Sequence, residues 1–227
     1  MSFFNFIAQL EHYEREQFPE VRLNTRYDML ISPYRDDIEG ARVLDLGAKD
    51  GRWSYALSGA GAAEVVAVER RASVAALIET YPEKSIRERI SWRVQDVYTA
   101  LEEAAGNGET FDVVVGFSTL GNVTDPIRLF SLISSLRPEL VLFDGEFIQR
   151  DDAVFRVVRA KGPGPGGPEP LSTVPTKGAM ELIAGVNGYD VSWVNWDKVP
   201  LPDRAFIRDY YRKTKMRRET AELRRRA

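Results

Sequence analysis

Between Ala41 and Phe143 the chain alternates short apolar runs with amphipathic stretches. The runs are Arg42 to Leu46, Glu64 to Val68, Ile90 to Val94, Phe111 to Gly116 and Leu140 to Phe143, each four to six residues long and mostly rich in Val, Leu or Ile. Near-continuous apolar runs of this length read as strands covered on both faces. The stretches between them, Arg52 to Ser58, Ala72 to Tyr81, Tyr98 to Ala105 and Pro126 to Leu136, predict helices. The fourth has a clear start, because Asp125 can accept from first-turn amides and Pro126 sits where a missing N–H is harmless. This alternation predicts βαβ units, an α/β fold and a parallel sheet.

The flanks are less regular. Phe3, Phe6, Ile7 and Leu10 fall at helical spacing, so Phe3 to Gln17 predicts an amphipathic helix, followed by a second helical or irregular stretch from Asn24 to Glu39. After the fifth strand, Ala153 to Ala160 reads as an extra strand. Gly162 to Pro170 follows, where eight of nine residues are Gly or Pro, and predicts a surface loop. Thr176 to Val186 reads as a helix, Tyr189 to Trp193 as a strand, and Tyr211 to Arg218 as its antiparallel partner at the sheet edge. A length of 227 residues suits one domain. Within it we expect an N-terminal helical cap (1–40), a core (41–147) and a segment carrying the Gly/Pro loop and terminal hairpin (148–227).

Composition narrows the chemistry by exclusion. With no cysteine, the chain has no disulfide framework, thiolate zinc site or cysteine nucleophile. Its single histidine, His12, rules out multi-histidine metal centres and disfavours a Ser-His-Asp hydrolase. No apolar run is long enough to span a membrane, and the N-terminus lacks the positive region and cleavage site of a signal peptide, so a cytoplasmic protein is expected. The net charge is only −3, yet Arg204 to Ala227 carries ten Lys or Arg against three acids. Such a basic end suits nucleic acid, a solvated face or a subunit contact.

The chemistry concentrates where strands end. Val43-Leu-Asp-Leu-Gly-Ala-Lys-Asp-Gly51 is an apolar strand running into a glycine turn and then a helix. Gly47 and Gly51 let the backbone turn sharply and approach a ligand, while the helix N-terminus offers unpaired N–H groups. Glu69 closes the second strand, where an acid can take both hydroxyls of a ribose, and Asp96 follows the third. In an open α/β sheet all three converge on the crevice outside the strand carboxyl ends.

From about Ile38 to Phe147 the sequence resembles the class I S-adenosylmethionine-dependent methyltransferases. The resemblance implies a Rossmann-like seven-stranded, mostly parallel sheet with helices on both faces and a C-terminal β-hairpin. It implies that Asp45, Gly47, Ala48, Asp50, Gly51, Trp53, Glu69, Arg70, Asp96, Val97 and Phe117 form the cofactor site. Asp45 to Gly51 would face the methionine part, Glu69 the ribose, and Asp96 and Val97 the adenine. Phe111-Asp-Val-Val-Val-Gly-Phe-Ser118 looks like the fourth-strand motif that lines the pocket near the reactive methyl. The usual Gly-x-Gly-x-Gly turn here reads Gly47-Ala-Lys-Asp-Gly51, with Lys49 in place of the middle glycine. With Arg52-Trp53 after it, this variant looks like a subgroup with small-molecule and sugar O-methyltransferases.

Some assignments have plain alternatives. Trp53 serves equally as a packing residue, Phe117 as a core cap, and Asp50 faces either cofactor or solvent. Methyl transfer to a hydroxyl benefits from a base or a metal ion. Asp144 and Glu146, following the fifth strand, are the candidates for catalysis and for holding Mg²⁺, or else ordinary loop acids. Arg26 and Tyr27 are candidates to close over the cofactor's carboxylate. The competing fold is an NAD-binding Rossmann domain, which prefers Gly-x-Gly-x-x-Gly. The expected partner is a small-molecule substrate, with nucleic acid and membrane disfavoured and a homodimer compatible. The alternatives are an RNA methyltransferase, suggested by the basic end, and a silent cofactor-binding protein.

Overall fold

The computed structural model describes residues 2–117, 119–159 and 171–226. The five apolar runs form β1 (Arg42–Leu46), β2 (Glu64–Val68), β3 (Ile90–Arg93), β4 (Val113–Phe117) and β5 (Leu140–Ile148). Further strands are β6 (Phe155–Arg159), β7 (Leu171–Pro175), β8 (Tyr189–Trp193) and β9 (Met216–Arg225). The helices are α1 (Pro19–Leu30), α2 (Arg35–Ile38), α3 (Arg52–Gly59), α4 (Ala72–Ala75), α5 (Lys84–Arg87), α6 (Val97–Gly106), α7 (Pro126–Ser135) and α8 (Lys177–Val186). One sheet of seven strands has the order β3-β2-β1-β4-β5-β9-β8, and β6 and β7 form a separate two-stranded sheet. The first five strands are parallel, while β9 runs antiparallel to both β5 and β8.

Successive side chains of a strand point to opposite faces, and here both faces are apolar. Val43, Val65, Val113, Val115, Leu140 and Leu142 join one cluster with α3 and the N-terminal segment. Leu44, Leu46, Val66, Val68, Val114 and Val141 join the other with α6, α7 and α8. The predicted start of α7 is present, with the Asp125 side chain accepting from Arg128 N–H at 3.0 Å and proline in the first turn.

Four expectations are corrected. Phe3 to Gln17 is not an α-helix but two 3-10 turns, Ile7–Gln9 and Glu11–Tyr13, separated by an extended Leu10. Its aromatic rings dock singly: Phe3 stacks on Tyr27 at 5.0 Å and Phe4 meets Trp53 edge-on at 5.5 Å. Ala72 to Tyr81 is α4 followed by a 3-10 turn. β5 continues through Asp144 and Glu146 to Ile148, because β9 pairs with it along its whole length. Finally, β9 begins at Met216 and not at Tyr211. Residues 162–170, the Gly/Pro run, lie outside the described residues.

The register of β9 also gives the basic end its partners. Arg224 pairs with Asp37 and Glu222, Arg226 with Asp190, Arg217 with Glu219 and Arg218 with Asp144. Among the described residues no helix is long and apolar enough to cross a membrane.

Candidate active site

The turn after β1 sets the geometry. Gly47, Lys49 and Gly51 all have left-handed backbones, with φ of 70°, 56° and 81°. A Cβ on Gly47 would come within 3.0 Å of the Thr119 hydroxyl oxygen, so only glycine leaves that wall of the site open. At Gly51 the constraint is packing: a Cβ would lie 2.7 Å from Ile78 Cδ1.

A crevice of about 330 Å³ opens at the carboxyl ends of β1, β2 and β3, within the range of small-molecule sites. It is lined by Gly47, Lys49, Val68, Glu69, Arg70, Arg71, Gln95, Asp96, Val97, Tyr98, Thr119, Asn122 and Val123. Five of the eleven residues singled out from sequence therefore meet there: Gly47, Glu69, Arg70, Asp96 and Val97. Thr119, Asn122 and Val123 come from the segment after β4, which no periodicity marked. Lys49 carried a signal, as the residue standing in the glycine turn.

Glu69 is buried and accepts from Lys49 N–H at 3.2 Å and from Arg71 N–H at 3.0 Å and Nε at 2.7 Å. Burial alone would raise its carboxyl, but the hydrogen bonds and charge of Arg71 outweigh this and hold it below the usual range. The Arg71 side chain is 41% exposed, so it can swing away when a hydroxyl competes for Glu69. Asp96 caps α6, one oxygen accepting from Tyr98 N–H at 2.8 Å. Its other oxygen has no hydrogen-bond partner among the described residues.

The other six residues lie outside the crevice lining. Asp45 is buried beneath the turn, where the Ser54 hydroxyl donates to it at 2.6 Å. Burial pushes its carboxyl up to about 7; the Ser54 bond opposes the rise and the charges of Asp50 and Glu69 add to it. Ala48 is buried within the turn. Asp50 faces neither crevice nor solvent but accepts from Tyr13 OH at 2.7 Å and from Arg52 Nε at 2.8 Å. Burial would raise it, yet the Arg52 charge outweighs that and holds it low. Trp53 packs edge-on against Phe117 at 5.2 Å and carries the Arg26 guanidinium over its ring.

Asp144 is the main correction among the expected chemical groups. It is fully buried in β5, level with Phe117 at the end of β4. Arg26 Nη2 and Arg218 Nε donate to one of its oxygens at 2.7 and 2.5 Å, and Tyr210 OH and Thr220 OH to the other, both at 2.7 Å. Burial raises its carboxyl, but the two arginine charges and two hydroxyls more than reverse this. With both oxygens filled, Asp144 has no lone pair to offer a metal or an incoming proton. Among the described residues no group of three His, Cys, Asp or Glu is placed to hold a metal ion. Glu146, two residues on, is exposed and forms no ion pair among those residues. Arg26 is bound to Asp144 and to Tyr210.

An antiparallel strand inserted beside β5, with acids at the ends of β2 and β3 next to a glycine turn, defines a class I methyltransferase fold. The dinucleotide-binding competitor continues the order 3-2-1-4-5 with a sixth parallel strand. A family profile described as a methyltransferase domain matches residues 13–151, and the chain belongs to that family. No curated protein matches the sequence significantly. Solved structures of similar fold include the N-terminal domain of EvdMO1 in the presence of SAH and D-fucose, at 15% identity and a TM-score of 0.66, covering 91% of this chain and 83% of that one. Magnesium protoporphyrin IX methyltransferase (ChlM) from Synechocystis PCC 6803, with bound SAM, is 14% identical with a TM-score of 0.59, over 99% and 92% of the two chains. The Burkholderia thailandensis 1,6-didemethyltoxoflavin-N1-methyltransferase, with bound 1,6-didemethyltoxoflavin and S-adenosylhomocysteine, is 16% identical with a TM-score of 0.58, over 98% and 86%.

Proposed function

We propose that the crevice binds S-adenosylmethionine and that the protein transfers its methyl group to an oxygen or nitrogen of a small molecule, a sugar or natural-product intermediate being preferred. The observation that carries this reading is the convergence of Gly47, Glu69, Asp96 and Val97 on one crevice. Glu69 would accept from the ribose hydroxyls as Arg71 swings aside. Asp96 offers an oxygen to the adenine amino group, with Val97 beside the ring. Gly47 leaves room for the methionyl portion. D-fucose beside EvdMO1 and 1,6-didemethyltoxoflavin in the Burkholderia enzyme are small molecules, in keeping with this substrate class.

When bound, the donor supplies an electrophilic methyl carbon on a sulfonium. The protein's part is to hold an acceptor lone pair in line with the carbon–sulfur bond. Transfer to that lone pair would return the carbon–sulfur electrons to sulfur and would require the acceptor's proton to leave. Glu146 is the carboxylate we assign to receive that proton, since Asp144 is already filled. The RNA reading is disfavoured because Arg217, Arg218, Arg224 and Arg226 of the basic end are engaged by acids of the same chain.

The test is a thermal shift. S-adenosylhomocysteine should raise the melting temperature and NAD should not; the opposite result overturns the donor assignment. If methyl label from the donor enters cell RNA and never a small-molecule extract, the substrate class is wrong.

A further inference from the structure

Lys49 occupies a backbone conformation that suits glycine, with φ of 56°. A side chain held there against backbone preference points to a role for that side chain. Lys49 lines the crevice and is reached by solvent, and among the described residues it forms no ion pair. Partial burial lowers its ammonium pKa, and the nearby charges of Arg52, Arg218 and Arg26 lower it further, with Asp50 opposing.

The charges around it do not balance. Arg52 is matched by Asp50, and Arg22 by Asp209 at 2.7 Å. Arg26 and Arg218 share the single carboxylate of Asp144, and Arg218 lies 3.9 Å from Asp209. With Lys49 these are five cations against Asp50, Asp144 and Asp209; of the two further acids at the turn, Glu69 is engaged by Arg71 and Asp45 by Ser54. Arg26 and Arg218 meet at Asp144 within β5, level with the end of β4 and on the other side of β1 from the strands that carry Glu69 and Asp96; of the five cations, Lys49 is the one that lines the crevice. Gathered like charges favour an anion between them, and complementary potential selects partners.

We infer that this end of the crevice is an anion site headed by Lys49, and that the methyl acceptor is an acid, a small molecule bearing a carboxylate or phosphate. The inference rests on the donor reading above, which places the adenosyl part on the Glu69 side. The same chemistry has a second source in the amino-acid end of the donor, and the experiment separates the two.

Wild type and Lys49→Gly are compared by calorimetry and thermal shift at constant ionic strength. Glycine relieves the left-handed backbone, so the variant should fold at least as well. The probes are S-adenosylhomocysteine, 5′-methylthioadenosine, which lacks the amino-acid end, and inorganic phosphate with and without saturating S-adenosylhomocysteine. We expect phosphate to stabilise the S-adenosylhomocysteine-loaded wild type and to bind about tenfold more weakly to Lys49→Gly, the usual scale for losing one charged contact. The affinity for S-adenosylhomocysteine should change by less than about threefold, since its recognition lies mainly at Glu69 and Asp96. Three results overturn the inference: no phosphate effect in wild type, an equal effect in the variant, or a tenfold loss of S-adenosylhomocysteine with 5′-methylthioadenosine unchanged. The last would assign Lys49 to the donor's carboxylate. Failure of S-adenosylhomocysteine to bind either protein would overturn the donor reading, and the phosphate titration without it would still report on the anion site.

Discussion

Replacing Asp144 with asparagine removes the one negative charge that two buried arginines share. Asparagine keeps the shape and can still accept from one arginine, and the hydroxyls of Tyr210 and Thr220 can rotate to meet its amide. What is lost is charge at two contacts of 2.7 and 2.5 Å. Hydrogen bonds to charged groups contribute about 1.5–3 kcal/mol each, and removing one partner of a buried ion pair costs about 3–5 kcal/mol. We therefore expect Asp144→Asn to lose about 3 kcal/mol in urea unfolding at pH 7.5, and Asp144→Ala, which also abandons the two hydroxyls, about 5 kcal/mol. Adding Arg26→Met to Asp144→Asn removes one orphaned cation, and should leave the pair at least about 1 kcal/mol more stable than additivity predicts. Because the folded carboxyl titrates below the usual aspartate range, its contribution is complete above that range and is lost as pH falls through the lower folded value. The difference between wild type and Asp144→Asn should thus be flat above about pH 5 and shrink in acid. A loss below about 1 kcal/mol at neutral pH, or strict additivity with Arg26→Met, would refute the ion-pair account.

Asp45 should behave oppositely, since its carboxyl is raised to about 7. Its cost to stability is absent below about pH 4, grows through the interval and is complete above 7, so Asp45→Asn should raise the melting temperature at pH 8 and flatten the pH profile between 4 and 7. Parallel profiles for the two proteins would count against it. Glu69→Ala should weaken S-adenosylhomocysteine at least about tenfold in calorimetry, whereas Arg71→Ala should change it by under about fivefold, because half-exposed ion pairs contribute little. Gly51→Ala places a Cβ 2.7 Å from Ile78 at a φ of 81°. Overpacking and backbone strain together should remove about 2–4 kcal/mol by thermal denaturation, and a loss under about 1 kcal/mol would mean that the turn readjusts freely.

The parallel core was legible because its signal is local: five apolar runs, a proline-marked helix start and acids at strand ends. From sequence β5 ends at Phe143, because Asp144 and Glu146 look like the polar end of a strand. Only the long-range partners Arg26, Tyr210, Arg218 and Thr220 make a buried aspartate tolerable there, and nothing near it in sequence announces them. The start of β9 is hidden in the sequence for a related reason. Its alternation of Arg, Glu and Thr with Ala and Leu reads as a surface segment until β5 and β8 flank it. The N-terminal stretch misled through spacing: Phe3, Phe6, Ile7 and Leu10 suit a helix, but the rings settle individually among Tyr27, Trp53, Tyr55 and Tyr81. At the crevice, Glu69 and Asp96 follow from strand ends, while Asp50 was drawn away by Tyr13 and Arg52.

The insertion of β9 between β5 and β8 sets an order of events during synthesis. The five parallel strands leave the ribosome first, and by then β5 presents an open edge of nine residues. The strand that covers it is made of residues 216–225, and with it comes Arg218, the cation that shares Asp144 with Arg26. Until then the nascent chain carries an unpaired edge, the kind that recruits foreign strands. The strands whose ends border the crevice are thus made well before Arg218, which completes the shell of donors around Asp144.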